Sequence, residues 1–300
     1  MNGLRSLVHW IDTSALADGD PDRVDWLRVL PFLGMHLACI GVLFVGVSPA
    51  ALWTAATLYA LRMFAITGFY HRYFSHRAFR TSRALQFGFA LLGAASVQRG
   101  PLWWAAHHRH HHRHADTERD VHSPRHGFWR SHVGWFLTAR NFATDHDAVK
   151  DLGRYPELRW LDRYDIAVPV ALAAALAAFG AWLGPAYGTS AMQMLVWGFF
   201  VSTVVLFHVT VTINSFAHRF GRRRFATRDD SRNNWLLALL TFGEGWHNNH
   251  HHFPGAVRQG LAWWEFDLTW YLLRAMAALG LVWDLRAMPA ALRSARLEPR

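Results

Sequence analysis

Three histidine-rich strings supply the residues that could carry out chemistry in this sequence. They are HRYFSH at 71–76, HHRHHHRH at 107–114 and HNNHH at 247–251. Residues at positions i, i+3 and i+4 of a helix lie on one face, so each HxxHH pattern directs three imidazoles towards one point. Neutral imidazole is a ligand for several transition metals. The spacing therefore predicts a metal site.

The register of the second string is open on spacing alone. His108, His111 and His112 satisfy HxxHH, and so do His107, His110 and His111. Because the chain has 20 histidines in 300 residues, one HxxHH pattern should arise by chance in roughly one such chain of ten. Two separate copies are much rarer, so the repeat indicates a functional site.

Other residues extend this predicted site. Asn214 and His218 lie four residues apart at the end of an apolar stretch, and each adds a nitrogen or oxygen group. His71 and His76 lie five residues apart, which predicts that a helix ends between them. Cys39 is the only cysteine, so the sequence offers no disulfide framework and no thiolate metal site.

Acidic residues near the histidines have two possible roles. Soluble di-iron proteins use paired ExxH motifs with further glutamates, whereas this chain has only Glu244 and His247 in that spacing. Glu244 is therefore interpreted as a partner that orients an imidazole, and Asp116 and Asp120 are candidates for the same role. Surface or capping roles remain the alternative for all three.

Two charge-free tracts provide the elements that must position the histidines. They run from 29 to 61 and from 166 to 217, and a Ser-Pro or Gly-Pro pair interrupts each. Four membrane spans are therefore predicted, at about 30–47, 51–70, 166–183 and 191–214. The short connections carry no Lys or Arg, whereas the long segments carry nearly all of them. Both termini and both long segments are therefore predicted to be cytoplasmic.

Two further stretches could contact the membrane without crossing it. The stretch at 84–97 is too short to span comfortably, so a re-entrant or interfacial helix is favoured over a full span. Near the C-terminus, aromatic residues recur among charges and predict a helix at the headgroup boundary, with a core helix of the cap as the alternative. These are Trp263, Trp264, Phe266, Trp270, Tyr271 and Trp283.

Three polar residues lie inside the predicted spans. A charged side chain such as Arg62 is energetically costly inside a membrane unless it is paired or reaches the interface. Arg62 is therefore interpreted as a structural residue. His36 and His208 lie away from the histidine strings, so both are interpreted as packed or hydrogen-bonded residues rather than ligands.

Composition supports a membrane protein with a basic surface. Hydrophobic residues make up 52% of the chain, with 16 Trp and 21 Phe, and the formal net charge is +10. The spans favour anionic lipid, a phosphorylated substrate or an acidic partner over nucleic acid as the ligand of this surface. The acidic N-terminus does not have the pattern of a cleavable signal peptide. No internal repeat or separate domain is evident.

These strings resemble the histidine boxes of membrane fatty-acyl desaturases of the stearoyl-CoA desaturase type, which carry HxxxxH, HRxHH and HNxHH in this order. Four longer segments match as well: YHRYFSHRAFR at 70–80, HSPRHGFWRSHVGW at 122–135, NSFAHRFG at 214–221 and GEGWHNNHHHFP at 243–254. With the spans, the resemblance covers about residues 30–260. The HRxHH box places Arg109 after its first ligand and so selects His108, His111 and His112.

The resemblance implies an all-α integral membrane protein with four transmembrane helices. Residues 1–300 would form one domain, in which cytosolic segments 71–165 and 215–300 make a helical cap around a histidine-ligated di-iron centre. One iron would bind His71, His76, His112 and His251, with Asn214 acting through water. The other would bind His108, His111, His218, His247 and His250. Imidazole alone does not identify iron, but breaking an unactivated C–H bond needs an oxidant that reduced iron and O₂ supply and zinc does not.

The implied reaction is O₂-dependent desaturation of a long-chain acyl group to a cis double bond, with acyl-CoA as the expected substrate and Δ9 as the expected position. Gln98, Trp104 and Thr210 match family residues near the bend of the acyl tunnel, although any Trp in a membrane protein can be an interfacial anchor. The phosphates of coenzyme A could bind guanidinium groups, with lipid contact or solvation as the alternative. The candidates are Arg99, Arg109, Arg113 and Arg119.

The two electrons needed for each turnover imply a separate donor, because the sequence has no dinucleotide-binding fingerprint and no haem or iron–sulfur segment. A ferredoxin, rubredoxin or cytochrome b5 could dock on the basic face, and salt should weaken that docking. All 31 basic residues except Lys150 are Arg, which suggests a bacterial source and hence the inner membrane. The alternatives are a membrane hydroxylase or alkane monooxygenase, a metal transporter or storage protein, and a zinc-dependent hydrolase.

Overall fold

The computed structural model describes residues 8, 10–14 and 20–294. Four helices in this part of the chain are long and apolar enough to cross a bilayer. They are span 1 (Trp26–Val45), span 2 (Pro49–Ser75), span 3 (Ala167–Tyr187) and span 4 (Ala191–Ser215). The four predicted spans are therefore confirmed, with the difference that span 2 ends at Ser75 rather than near residue 70.

Local capping explains where these spans begin and end. The Ser48 hydroxyl accepts a hydrogen bond from the Ala51 amide at 3.2 Å, and Pro49 occupies the first helical position of span 2. Ser190 caps span 4 in the same way, through the Gln193 amide at 3.1 Å. Gly188, with φ of 60°, ends span 3 in the left-handed conformation that favours glycine. The tight turns predicted between paired spans are thus specified by Ser, Pro and Gly.

Three of the four spans change their winding along their length. Span 1 passes through a 3-10 turn at Cys39–Gly41. Span 2 is α-helical over Pro49–Phe64 and π-helical over Ala65–Ser75, and span 4 is π-helical over Met194–Val201. π-Helical segments are rare and are frequently found at functional sites. The π-helical end of span 2 is buried throughout and carries the first histidine box.

The segments between and after the spans form a helical cap. Its main helices are α1 (Arg83–Ala94), α2 (Pro101–His114), α3 (Phe128–His132), α4 (Pro156–Arg163), α5 (Trp235–Leu240), α6 (His247–His252) and α7 (Leu268–Ala278). Shorter helices are Pro124–His126, Gly134–Leu137, Ala139–Asn141, His146–Val149, Lys150–Gly153 and Ala290–Ser294. Strands β1 (Arg80–Thr81) and β2 (Val282–Trp283) pair antiparallel. This pairing attaches the C-terminal segment to the end of span 2.

Helix α1 corresponds to the apolar stretch at 84–97 and contains only 12 residues. It is too short to cross a bilayer, which rules out the full-span alternative. It packs instead against the π-helical part of span 2, where the rings of Phe69 and Phe89 stack at 3.8 Å. The two helices approach closely because Gly93 faces Tyr70, whose ring would clash with a side chain at position 93.

Arg62 is fully buried between span 2, span 4 and the end of α1. Its guanidinium donates to the carbonyl oxygens of Leu58 and Ala95 and to the hydroxyls of Thr203 and Ser202. All four acceptors are uncharged, so hydrogen bonds rather than an ion pair compensate its desolvation. This arrangement is consistent with the expected structural role.

The C-terminal aromatic residues do not share one helix, so that part of the prediction is wrong. Trp263, which is 90% exposed, and Trp264 lie in the turn before α7. Trp270 and Tyr271 lie in α7, and Trp283 lies in β2. The turn and the strand interrupt the helical periodicity that the sequence pattern had suggested.

Candidate metal centre

Nine histidine side chains meet in two adjacent clusters where the cap joins spans 2 and 4. Within each cluster the ring nitrogens lie within 4.8 Å of one another. The first cluster consists of His71, His76, His108, His112 and His250. The second consists of His111, His218, His247 and His251. All nine imidazoles that the sequence singled out are therefore brought together.

Helix α2 presents only one of its two possible HxxHH registers to the clusters. His108, His111 and His112 belong to the clusters. His107 instead contacts the Trp103 carbonyl at 3.0 Å, and His110 contacts the Arg119 carbonyl at 2.8 Å. The register selected by Arg109 is thus the one whose imidazoles converge.

Span 2 ends at Ser75, so the prediction that a helix ends between His71 and His76 is confirmed, but its winding at that end was not predicted. The helix continues through Ser75 with π winding, and the His76 amide donates to the His71 carbonyl at 3.3 Å. In an α-helix, residues five apart point about 140° away from each other. The wider π turn, with its i to i+5 hydrogen bonds, places them on the same side. His76 therefore reaches His108, with 2.8 Å between their Nε2 atoms.

The expected division of ligands differs from the observed grouping at three positions. His108 and His250 lie in the first cluster and His251 in the second. His250 Nε2 is 3.0 Å from the Nε2 atoms of both His71 and His112. The His251 ring faces the second cluster, because Asp229 accepts a hydrogen bond from its Nδ1. The direction of each ring, rather than its place in the motif, decides its cluster.

Four buried carboxylates hold the imidazoles through Nδ1. Asp120 accepts from His111 at 3.0 Å and Asp116 from His218 at 2.7 Å. Asp229 accepts from His251 at 2.9 Å, and Glu244 lies 2.5 Å from Nδ1 of His71. Asp116, Asp120 and Glu244 therefore contact imidazoles, the first of the two roles that the sequence left open for them.

Sequence reasoning missed two members of this shell. Asp229 lies outside every histidine motif, and no spacing links it to His251. Gln259 donates through Nε2 to Glu244 at 2.9 Å and lies 3.4 Å from His71 Nδ1. Both reach the site through tertiary packing of the segments after span 4, so sequence spacing gave no signal for them.

The hydrogen bonds at Nδ1 show that these clusters fit metal ions. A neutral imidazole that donates through Nδ1 has a lone pair on Nε2. His111 and His251 both donate through Nδ1 to carboxylates, and their Nε2 atoms face each other at 3.4 Å. Two lone pairs at that distance repel unless a cation lies between them. The donor set therefore matches a metal with nitrogen ligands.

The ionisation of these groups also suits metal binding. Burial is the largest cause that lowers the pKa of one set of imidazoles well below the ordinary value, and neighbouring imidazoles add to it. This set is His76, His108, His112, His247 and His250. Burial is the largest single influence on Asp116 and opposes its ionisation, but the hydrogen bonds from His218, the Asp230 amide and Ser123, with the charge of His218, together lower the pKa to about 2. Neutral imidazoles beside ionised carboxylates are the forms that metal ligation requires.

A cavity of about 440 Å³ runs from the cap between the spans and ends at the clusters. Its wall includes Gln98, Trp104 and Thr210, and Gln98 Nε2 donates to Thr210 Oγ1 at 3.1 Å. Asn214 and His108 line its inner end. A smaller cavity of about 50 Å³ continues past the same end, and the two share Trp104, His108, Thr210 and Asn214. The predicted substrate contacts therefore lie beside the candidate metal centre.

The arginines expected to bind coenzyme A phosphates do not act alike. Arg99 lines the cavity, but its guanidinium contacts Asp165 at 2.5 Å. Arg109 donates to Asp151 and to the carbonyl oxygens of Phe74, Ser75 and Ala148, so the expectation of phosphate contact is wrong for it. These carbonyls surround the end of the π-helix, and Arg109 satisfies them. Arg113 and Arg119 are exposed and do not line the cavity.

The two histidines inside the spans belong to a separate row of hydrogen bonds. His36 contacts the Phe32 carbonyl through Nδ1 at 2.8 Å and His208 through Nε2 at 2.9 Å. His208 Nδ1 lies 3.1 Å from His132 Nε2, and His132 Nδ1 lies 2.9 Å from the Ser215 hydroxyl. Both histidines are hydrogen-bonded and lie outside the metal clusters, as expected.

Comparison with known proteins places this site in a family context. The sequence model of the fatty acid desaturase family matches residues 48–286. The chain is 37% identical over 278 residues to sn-1 stearoyl-lipid 9-desaturase of Anabaena variabilis. The aligned region covers 90% of this chain and 97% of that protein. It is 38% identical over 269 residues to an acyl-CoA 5-desaturase of Anemone leveillei, covering 88% and 80%. It is 35% identical over 274 residues to sn-2 palmitoyl-lipid 9-desaturase of Nostoc sp. (strain 36), covering 88% and 90%.

Proposed function

Because this chain belongs to the fatty acid desaturase family, we propose that it introduces a cis double bond, at Δ9, into a saturated long-chain acyl group, using O₂. The observation that carries the proposal is the pair of imidazole clusters at the inner end of an apolar cavity. The cavity can hold an acyl chain, and the clusters can hold redox metals beside it.

The nine clustered imidazoles would hold two iron ions, with Asn214 acting through water. Iron, when bound, supplies with O₂ the oxidising power needed to break an unactivated C–H bond. The carboxylates Asp116, Asp120, Asp229 and Glu244 keep their imidazoles in the Nδ1–H tautomer, so that each Nε2 is available as a ligand.

The cavity wall would position the acyl chain. Trp104 stacks on His108 with 5.0 Å between ring centroids, so its indole lies directly beside the first cluster. The hydrogen bond between Gln98 and Thr210 joins the loop after α1 to span 4 across the cavity wall. A chain passing this point would be held close to the metals, which restricts the carbons that can react. The wall is mostly apolar and would exclude water from the reacting carbons.

The carrier of the acyl group is a separate question. The sequence predicts coenzyme A, whereas the names of similar desaturases include both lipid-linked and coenzyme A-linked substrates. The function proposed here is therefore desaturation of the acyl chain itself.

Electrons would arrive at the cap surface nearest the second cluster. Asp116 contacts both His218 and the Asp230 amide, and Asp229 contacts His251, so three segments of the cap meet there. Four exposed arginines lie on these segments, and in the described part of the chain no carboxylate pairs with them: Arg113, Arg119, Arg222 and Arg228. This surface suits an acidic ferredoxin, rubredoxin or cytochrome b5.

The chain would act as a single membrane domain in a bacterial inner membrane. Its termini, cap and metal centre would face the cytoplasm, because the basic residues lie almost entirely outside the turns between paired spans.

Expression in a host that lacks desaturase, followed by mass spectrometry of its lipids, tests the function. We expect new cis double bonds at carbon 9, lost in the His108→Ala variant. Hydroxylated acyl chains without alkene would identify a membrane hydroxylase instead. If an iron-loaded, membrane-inserted chain forms neither alkene nor hydroxylated product, the proposal is contradicted.

A further inference from the structure

The large cavity has an opening towards the bilayer between spans 1 and 3. Pro31 of span 1 and Val170 of span 3 both line the cavity and are both exposed, Val170 by 57%. Because these residues belong to membrane-crossing helices, their exposed surface faces lipid. At about 1.5 Å per residue, both lie less than about 10 Å from the cap ends of their spans. The opening is therefore in the leaflet next to the cap.

The cavity also extends deep between the spans. Asn214, beside the metal clusters, and Phe199 both line it on span 4. Fifteen residues of helix separate them, which corresponds to about 22 Å. Met35 of span 1 and Ala173 of span 3 complete this part of the wall. An apolar slot of this length, parallel to the spans and open to the bilayer, matches an acyl chain of a membrane lipid.

The charges at the cavity mouth are paired, which disfavours a polyanionic carrier. Among the described lining residues, the only arginines are Arg28 and Arg99. Arg28 lies 3.5 Å from Asp25 and its guanidinium lies over the Phe142 ring. Arg99 contacts Asp165 at 2.5 Å. A phosphate group would have to displace an existing carboxylate.

The outer rim continues this pattern of paired charges. Thr13 lines the cavity, and its neighbour Asp12 pairs with Arg163 at 2.6 Å. Asp22 pairs with Arg140 at 2.7 Å on the segment before span 1. Arg113, Arg119, Arg222 and Arg228, which no carboxylate pairs with in the described residues, do not line the cavity. The mouth thus offers hydrogen-bond partners for an ester and a headgroup, but not a built site for several phosphates.

We propose that the acyl group reaches the metal centre on a membrane glycerolipid, which enters from the bilayer between spans 1 and 3, rather than on coenzyme A. The inference rests on the proposed desaturase function and specifies its substrate class. The ester and headgroup lie at the rim formed by Trp10, Thr13, Arg28 and Asp165. One acyl chain follows the cavity to His108, and the other stays in the slot or in the adjacent bilayer.

The test uses iron-loaded full-length protein in nanodiscs with a chemical electron source, and it compares two carriers. In one arm the nanodisc contains distearoyl-phosphatidylglycerol, and in the other stearoyl-CoA is added to nanodiscs of unsaturated lipid. Val170→Trp obstructs the opening, and Ala171→Trp is the matched control because Ala171 is also exposed but does not line the cavity. Both positions face lipid, so both variants should fold.

We expect alkene to form on the glycerolipid. The rate of its formation should fall by most of its value in Val170→Trp and stay unchanged in Ala171→Trp. Alkene on stearoyl-CoA alone, or a lipid rate that Val170→Trp leaves at the control value, would overturn the lipid entrance while leaving the desaturase function intact. Alkene from neither carrier would overturn the desaturase function and this inference with it.

Discussion

Replacing Asp229 by Asn is expected to weaken metal binding at the second cluster. Asp229 accepts two hydrogen bonds, from the Ser231 amide through Oδ1 at 3.0 Å and from His251 Nδ1 through Oδ2 at 2.9 Å. Asn has one carbonyl oxygen, and if this oxygen serves Ser231, its NH₂ group faces His251. The imidazole then favours the tautomer with its proton on Nε2, and that nitrogen cannot bind a metal.

The size of the effect follows from the composition of the cluster. Loss of a partner that orients a metal-bound imidazole typically costs about 10–100-fold in metal affinity, or about 1.4–2.7 kcal/mol. The second cluster has four imidazoles, so losing His251 leaves three. Burial is the largest single influence on Asp229 and opposes its ionisation, but the hydrogen bonds from His251 and Ser231, with the charge of His251, together hold the pKa far below its usual range. The carboxylate is therefore charged at neutral pH, and we expect the upper end of the range.

Iron content measured by mass spectrometry after equilibration with graded chelator concentrations provides the assay. We expect Asp229→Asn to lose iron from the second cluster at roughly 100-fold lower chelator strength than the wild type. Asp230→Asn is the matched control, because its side chain makes an exposed ion pair with Arg125 and contacts no imidazole of the described residues. If Asp229→Asn and Asp230→Asn retain iron equally, the argument from tautomers is refuted.

Three further predictions concern the site, the spans and the donor surface. Ala at His108 or His250 should abolish desaturation without impairing membrane insertion, whereas Ala at His110 should retain activity in the same lipid analysis; activity in both cluster variants would contradict the ligand assignment. Arg62→Met leaves buried oxygens without donors, each costing about 1–3 kcal/mol, so the thermal midpoint in detergent should fall well below that of Arg62→Lys; equal midpoints would contradict this. Turnover driven by an acidic protein donor should fall with added salt and in Arg228→Glu, while turnover driven by a chemical reductant should not; a matching fall in both would argue against donor docking here.

The sequence predicts the spans and the convergence of imidazoles from α2 and α6 because both depend on local periodicity, whereas the register within 107–114 follows from the resemblance of its HRxHH box. Charge-free tracts of sufficient length determine the four spans, and i, i+3, i+4 spacing places three imidazoles on one face of α2 and of α6. At His71 and His76 the same reasoning predicts the helix end but misses the π winding that brings the two rings to one side, because it assumes the α-helical repeat. A periodicity argument cannot detect a change of winding that tertiary contacts stabilise.

Contacts between distant segments account for the other differences. Asp229 reaches His251 only because the segment after span 4 folds over α6. The distribution of imidazoles between clusters depends on how α6 is rotated relative to α2, which no single motif encodes. Arg109 has the charge expected of a phosphate contact, but the carbonyls at the end of the π-helix and Asp151 engage it. Such roles depend on packing between residues more than twenty positions apart in the sequence.

The row of histidines between Phe32 and Ser215 has a fixed polarity. A carbonyl can only accept, so His36 donates to Phe32 through Nδ1 and must accept from His208 through Nε2. For neutral imidazoles the same reasoning makes His132 donate to His208 and leaves His132 Nδ1 as an acceptor for the Ser215 hydroxyl, whose single proton the Val211 carbonyl at 3.2 Å also attracts. Burial, with a further contribution from His208, lowers the pKa of His132 to about 4, which keeps it neutral. The dipoles of the three rings therefore point in one direction, with their positive ends towards span 1. This alignment favours one rotation of span 1 about its axis relative to span 4.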